Sequence, residues 1–188
     1  MNEQTLGTIP TDLPVPTDDG AAAHLSGMRL PHVALAATDG TVVDLATIPG
    51  TVVVFGYPRT GRPGEPSLTD DWDMIPGARG CTPQTCGFRD LHAEFAARGA
   101  RVFGLSTQTT DYQREMVERL HVPFPVLSDA DLVLAHAVNL PTFDAAGQTL
   151  LKRIAWIARD GVIVRVFYPV FPPDRNAGEI LASLRSAQ

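Results

Sequence analysis

Cys81 and Cys86 are the only cysteines in the chain, and they stand five residues apart in Cys81-Thr-Pro-Gln-Thr-Cys86. A disulfide-stapled fold uses more cysteines at wider spacing. A bridge across so short a loop adds little to a chain of 188 residues. Either the pair does chemistry or it is incidental. A lone cysteine is usually a small buried hydrophobe, but two in six residues, at a junction between a loop and a helix, point to redox chemistry. The first turn of a helix presents unpaired N–H groups and the positive end of the helix dipole, and both favour a thiolate. A thiolate at Cys81 attacks a peroxide oxygen and becomes a sulfenic acid. Cys86 is then the thiol that condenses with it to a disulfide. A metal site fits less well, because zinc-type ligand spacing is not met and no second ligand pair follows.

The spacing also makes a mechanical demand. Residues five apart in an α-helix are separated by about 7.5 Å of rise and lie on different faces. Their Cα atoms are then roughly 8–9 Å apart, beyond the ~7 Å reach of a disulfide. The helix must unwind at its start to close the bridge. Pro83 costs little in a first turn, and Gly87 weakens helix continuation. A wound dithiol state and an unwound disulfide state are expected.

The elements around this pair follow from periodicity and turn signals. Residues 51–57 form a continuous β-branched and aromatic run, which reads as a strand covered on both faces. Residues 58–80 carry Pro and Gly throughout and read as a long loop. Residues 81–97 read as a helix with Phe88, Leu91 and Phe95 on one face. Strands are expected at 101–107 and 124–127, and helices at 111–120 and 129–138, the latter capped by Ser128 or Asp129. Asp39-Gly40 and Asp160-Gly161 each lie between β-prone runs, which predicts hairpins at 32–45 and 152–168. A closing helix is expected at 174–185. The pattern is α/β: a central mixed β-sheet flanked by helices, with an N-terminal β-hairpin. Residues 1–30, rich in Pro, Thr, Asp and Gly, read as an N-terminal extension to a domain spanning 31–188.

The bulk numbers exclude some partners. A net charge of −6 argues against nucleic acid or an anionic membrane surface. No apolar run approaches the roughly 20 residues of a membrane helix, and no secretory signal pattern is visible. The expected location is cytoplasmic. His24, His32, His92, His121 and His136 have no ligand-like spacing, so no metal and no cofactor is expected. The aromatic and proline-rich stretch 167–173 is expected to pack against the core or the active-site rim, or to serve as a partner surface.

The segment Gly80-Cys-Thr-Pro-Gln-Thr-Cys-Gly-Phe-Arg-Asp90 resembles the active-site segment of the peroxiredoxin Q group, also called bacterioferritin comigratory proteins. Val52-Val-Val-Phe-Gly-Tyr-Pro58, Val102-Phe-Gly-Leu-Ser106, Phe124-Pro-Val-Leu-Ser-Asp129 and Arg153-Ile-Ala-Trp-Ile157 resemble further family segments in the family's order. The resemblance implies a thioredoxin-like fold and a thiol peroxidase that reduces hydrogen peroxide and organic hydroperoxides. It implies Cys81 as the peroxidatic and Cys86 as the resolving cysteine, with recycling by thioredoxin or a similar dithiol reductant. It implies a monomer, with a weak dimer as the alternative. Arg153 matches the arginine that leans over the family's active site.

Two departures stand out. The family's threonine, three residues before the cysteine, is replaced by Ala78, and Met74 stands where its proline is expected. An insertion of roughly 15–18 residues splits the motif and gives the loop at 59–80. Pro58 is expected to keep the proline role, and Thr60 to supply the displaced hydroxyl, with Thr82 as second candidate. Pro58, Gly80 and Thr82 are expected at the substrate site. The insertion is expected to cover the pocket, alter substrate choice, form a subunit contact or be only a surface loop. Two other functions remain open on sequence. A thiol-disulfide oxidoreductase or redox sensor on this scaffold exchanges disulfides quickly and meets peroxide slowly. A non-enzymatic binding protein, using the insertion as its interface, does neither.

Overall fold

The computed structural model of the chain describes residues 12–185. Its centre is strand β3 (Thr51–Gly56), buried along nearly all its length. Val52 and Val54 face one apolar cluster, and Val53 and Phe55 face the other. That is why the run reads as continuously apolar: successive side chains point to opposite faces, and both faces are covered. β3 pairs in parallel with β4 (Ala100–Ser106) and antiparallel with β8 (Ile154–Arg159). With β1 (Leu35–Ala37), β2 (Val42–Val43), β5 (Val126–Ser128) and β9 (Val162–Phe167), they form a seven-stranded mixed sheet in the order β2-β1-β5-β4-β3-β8-β9. Helices α1 (Cys81–Asp90), α2 (His92–Ala97), α3 (Thr110–Leu120) and α5 (Asn176–Arg185) contribute to the cluster on one face. Helix α4 (Val133–Ala137) and residues 22–30 cover the other. This is the expected thioredoxin-like arrangement, with its N-terminal hairpin in β1 and β2.

Several boundaries differ from the sequence reading, each for a local reason. The helix expected at 81–97 is two helices, broken at Leu91. The helix expected at 129–138 is a short one over Val133–Ala137. Asp129 still caps it, but by reaching forward: its carboxylate accepts hydrogen bonds from Leu134 N at 3.0 Å and Ala135 N at 2.8 Å. Residues 142–151 form a hairpin, β6 (Thr142–Ala145) and β7 (Gln148–Leu151), that was not expected. Its turn, Ala146-Gly147, has positive φ at both residues, 47° and 72°. An alanine in that conformation carries no turn signal in the sequence.

The loop at 59–80 has a core of its own. Trp72 and Ala78 pack with Ala145 and Leu150 of the β6–β7 hairpin, and Leu68, Ile75 and Phe143 close the cluster. Trp72, in a 3₁₀ turn at Trp72–Met74, lies 6.3 Å from the Phe143 ring between centroids. The expectation of a mere surface loop is therefore corrected, because the insertion is anchored by apolar burial. The N-terminal arm is held as well. Gly27 and Leu30 donate backbone hydrogen bonds to Ile163 and Gly161 at the outer edge of β9. Asp19 binds Lys152 and the Tyr168 hydroxyl, and these two partners hold its carboxyl well below the usual carboxylate range. Residues 1–11 of the predicted extension lie outside the described residues.

Candidate functional site

Cys81 is the first residue of α1, at the carboxyl ends of the parallel strands β3 and β4, where α/β folds place ligand sites. Gly80 sets the entry to the helix. Its φ of 106° lies in the left-handed region, and a Cβ there would fall 2.4 Å from Pro173 Cγ. Only glycine allows the chain to turn so tightly against the 3₁₀ segment Pro173–Arg175. The expected rim role of the 167–173 stretch is met here: Pro173 abuts Gly80, and Val170 N bonds Arg153 O.

The Cys81 side chain is 3% exposed, and so is Arg153. Arg153 Nη2 donates to Cys81 Sγ at 3.2 Å, to Ala78 O at 3.0 Å and to Arg79 O at 3.1 Å. Its Nε donates to Gly77 O at 3.2 Å, and its Nη1 to Gln84 Oε1. No carboxylate pairs with this guanidinium among the described residues. A buried cation without an anion costs several kcal/mol, and Cys81 Sγ is the one ionisable atom it touches. The guanidinium and the sulfur are thus held together in one buried site. Burial pushes the neighbouring Tyr57 phenol well above its ordinary value, so that group stays uncharged beside the sulfur.

Gln84 is fully buried, three residues after Cys81 and so on the same side of α1. It accepts from Arg153 and donates through Nε2 to Asn176 Oδ1 at 3.0 Å. Sequence reasoning missed Gln84 and Asn176. The i, i+3 spacing from Cys81 was a usable signal for Gln84, whereas Asn176 is brought in by the closing helix and carried none.

The loop before α1 forms a cavity of about 470 Å³ around the cysteine, lined in part by Thr60, Ala78, Gly80, Cys81 and Thr82. The insertion thus covers the pocket, one of the expected outcomes. Thr60 is buried, and Gln108 grips it three ways. Thr60 N and Oγ1 both donate to Gln108 Oε1, at 2.9 and 3.2 Å, and Gln108 Nε2 donates to Thr60 O at 3.0 Å. Pro58 is buried at the end of β3 and does not line the cavity.

Both cysteines are free thiols, and α1 is wound through both. Cys86 is half-buried against the core and does not line the cavity. Burial pushes its thiol pKa up, with Arg89 and Arg119 pulling the other way. The molecule is thus seen in the wound dithiol state that the spacing requires before a bridge can close.

The chain is similar to known proteins. The redoxin family model matches residues 25–181. Peroxiredoxin Q, a chloroplastic protein of Oryza sativa subsp. japonica, is 29% identical over 161 residues, covering 85% of this chain and 66% of that protein. The chain therefore spans just under two thirds of that relative's length. The crystal structure of Peroxidoxin BcpB from Mycobacterium tuberculosis aligns with a TM-score of 0.70 at 28% identity, over 87% of this chain and 97% of that one. Xanthomonas campestris peroxiredoxin Q aligns with a TM-score of 0.65 over 94% of this chain and 99% of that one; at 21% identity the likeness speaks for the fold. A cysteine at a helix start after the central strand, an arginine on its sulfur and a match across most of the chain agree: this protein belongs to the redoxin family, and its relatives there are peroxiredoxins of the Q group.

Proposed function

We propose that the chain is a thiol-dependent peroxidase with Cys81 as the attacking and Cys86 as the resolving cysteine. The observation that carries this reading is Cys81 Sγ, buried at the start of α1 and in hydrogen-bond contact with the Arg153 guanidinium, in a residue that lines the cavity. The Cys81 thiolate attacks the distal oxygen of a hydroperoxide. The O–O bond breaks, an S–O bond forms, and the alkoxide or hydroxide that leaves takes a proton from water. Arg153 holds the sulfur and stabilises negative charge as it moves to oxygen. Cys86 then displaces water from the Cys81 sulfenic acid, giving the disulfide, and a thioredoxin-type dithiol returns both thiols.

Thr60 supplies the hydroxyl that Ala78 lacks. Its proton is committed to Gln108, so its oxygen accepts the O–H of the bound peroxide. Thr82 is the second hydroxyl on the same wall, Gly80 shapes the floor, and Pro58 fixes the end of β3 behind it. The catalytic unit spans 31–188 with its insertion at 59–80, and residues 1–30 precede it as an extension. We assign the protein to the cytoplasm as a monomer; none of its described helices is long and apolar enough to cross a membrane.

The test is stopped-flow tryptophan fluorescence on mixing with peroxide, with and without thioredoxin. Wild-type protein is expected to lose two thiols per chain and to turn over with thioredoxin. Cys81→Ser is expected to show no turnover. Peroxide consumption by Cys81→Ser at the wild-type rate overturns the reading.

A further inference from the structure

The closing helix α5 begins against the reactive end of α1. Pro173 abuts Gly80, and a Cβ at Gly87 would meet Asp174 O and Ala177 Cβ at 3.4 and 3.5 Å. This packing brings Asn176, the first residue of α5, beside Gln84 across 92 residues of chain. Both side chains are fully buried, and neither lines the cavity before Cys81.

With Arg153 the two amides form a run of hydrogen bonds that has one polarity. A guanidinium only donates, so Arg153 Nη1 takes the oxygen of Gln84, Oε1. Gln84 Nε2 is then left facing the other way, and it donates to Asn176 Oδ1 at 3.0 Å. Asn176 Nδ2 is buried without a partner. Burying that group is costly, and the accepting oxygen beside it serves Gln84 Nε2.

The consequence reaches the sulfur. A guanidinium is planar and rigid. Nε on Gly77 O and Nη1 on Gln84 Oε1 fix its plane, and that plane sets Nη2 at 3.2 Å from Cys81 Sγ. If Asn176 offers no acceptor, Gln84 Nε2 is a buried donor left unpaired, and the amide turns to find a partner. Nη1 then loses its own acceptor, and the guanidinium loses its fixed plane.

We propose that Asn176 is a positioning residue for the attack by Cys81: it holds Gln84, Gln84 holds Arg153, and Arg153 is thereby set on the sulfur. The inference rests on the peroxidase reading and leaves the chemistry at Cys81 as described above. It also names what unwinding must break. Gln84 lies between the two cysteines, so its bonds to Arg153 and Asn176 belong to the wound state of α1.

The experiment follows two stopped-flow fluorescence phases on mixing with hydrogen peroxide, the first for Cys81 oxidation and the second for disulfide formation. In Asn176→Leu the first phase is expected to slow about tenfold, the scale of one hydrogen bond to a charged group. The second phase is expected to quicken, because the wound state has lost a contact. Asn176→Asp keeps an accepting oxygen and is expected to retain most of the wild-type first-phase rate. In Gln84→Met the run is already cut, so adding Asn176→Leu is expected to slow the first phase no further. Four results overturn the proposal while leaving the peroxidase reading intact: a first phase that Asn176→Leu leaves unaltered, slowing of both phases together, an Asn176→Asp rate as low as that of Asn176→Leu, or the same slowing in the Gln84→Met background. Failure of hydrogen peroxide to oxidise Cys81 in the wild-type protein overturns both.

Discussion

At Cys86 the surroundings work against ionisation. Burial raises its thiol pKa above the ordinary 9.0, and the arginines nearby offset only part of this. The folded state therefore holds the proton more tightly than the unfolded chain does. Stability from this group is present in full below the unfolded thiol's pKa and is lost as pH rises through the folded value. In Cys81→Ser, alkylation of Cys86 by iodoacetamide is expected to titrate with a midpoint above 9.0, and denaturation is expected to bring the midpoint down. A folded-state midpoint below the denatured one contradicts this. The contrast with Cys81 is chemical: one sulfur faces a guanidinium with no carboxylate, the other an apolar core. Two identical side chains five residues apart stand in different surroundings.

Helix α1 carries both sulfurs and must lose its first turns to join them. In the wound state it is held by Gln84, bonded to Arg153 and Asn176, and by the Thr85 hydroxyl on Cys81 O at 2.9 Å. Those contacts oppose unwinding, and Gly87 lowers the cost. A Cβ at Gly87 would meet Asp174 O at 3.4 Å and Ala177 Cβ at 3.5 Å, ordinary contacts. Gly87→Ala is therefore tolerated and strengthens the helix by about 1 kcal/mol. Disulfide formation after peroxide addition, read as the second fluorescence phase, is expected to slow about fivefold. An unchanged or faster second phase shows that α1 does not unwind beyond Gly87. The demand for unwinding, should a bridge form, is legible in the sequence, because it needs only helix geometry and the reach of a disulfide. The break at Leu91 and the β6–β7 hairpin were not, since neither has a strong period and the hairpin's turn puts an alanine, Ala146, at positive φ.

Across the whole molecule, Arg153 ties the insertion to the cysteine by bonding the carbonyls of Gly77, Ala78 and Arg79. Those carbonyls stay in place because Trp72 and Ala78 are packed on the β6–β7 hairpin. Trp72→Ala is expected to destabilise the protein by about 3 kcal/mol, by analogy with other buried aromatic truncations. Limited proteolysis is expected to cut Trp72→Ala within 61–79 while wild type resists. Equal resistance means that the insertion does not depend on this cluster. The sequence by itself determined the isolated cysteine pair, most of the strand and helix order, the long loop and the mismatch between a wound α1 and the reach of a disulfide. Each follows from local spacing or periodicity, which survive without knowledge of distant contacts. Only the tertiary structure decided where the loop packs, that Thr60 is held by Gln108 and what faces Arg153. Thr60 meets Gln108 across 48 residues and Arg153 meets Cys81 across 72. Contacts at that separation are set by how the sheet brings chain ends together, and no local pattern encodes them.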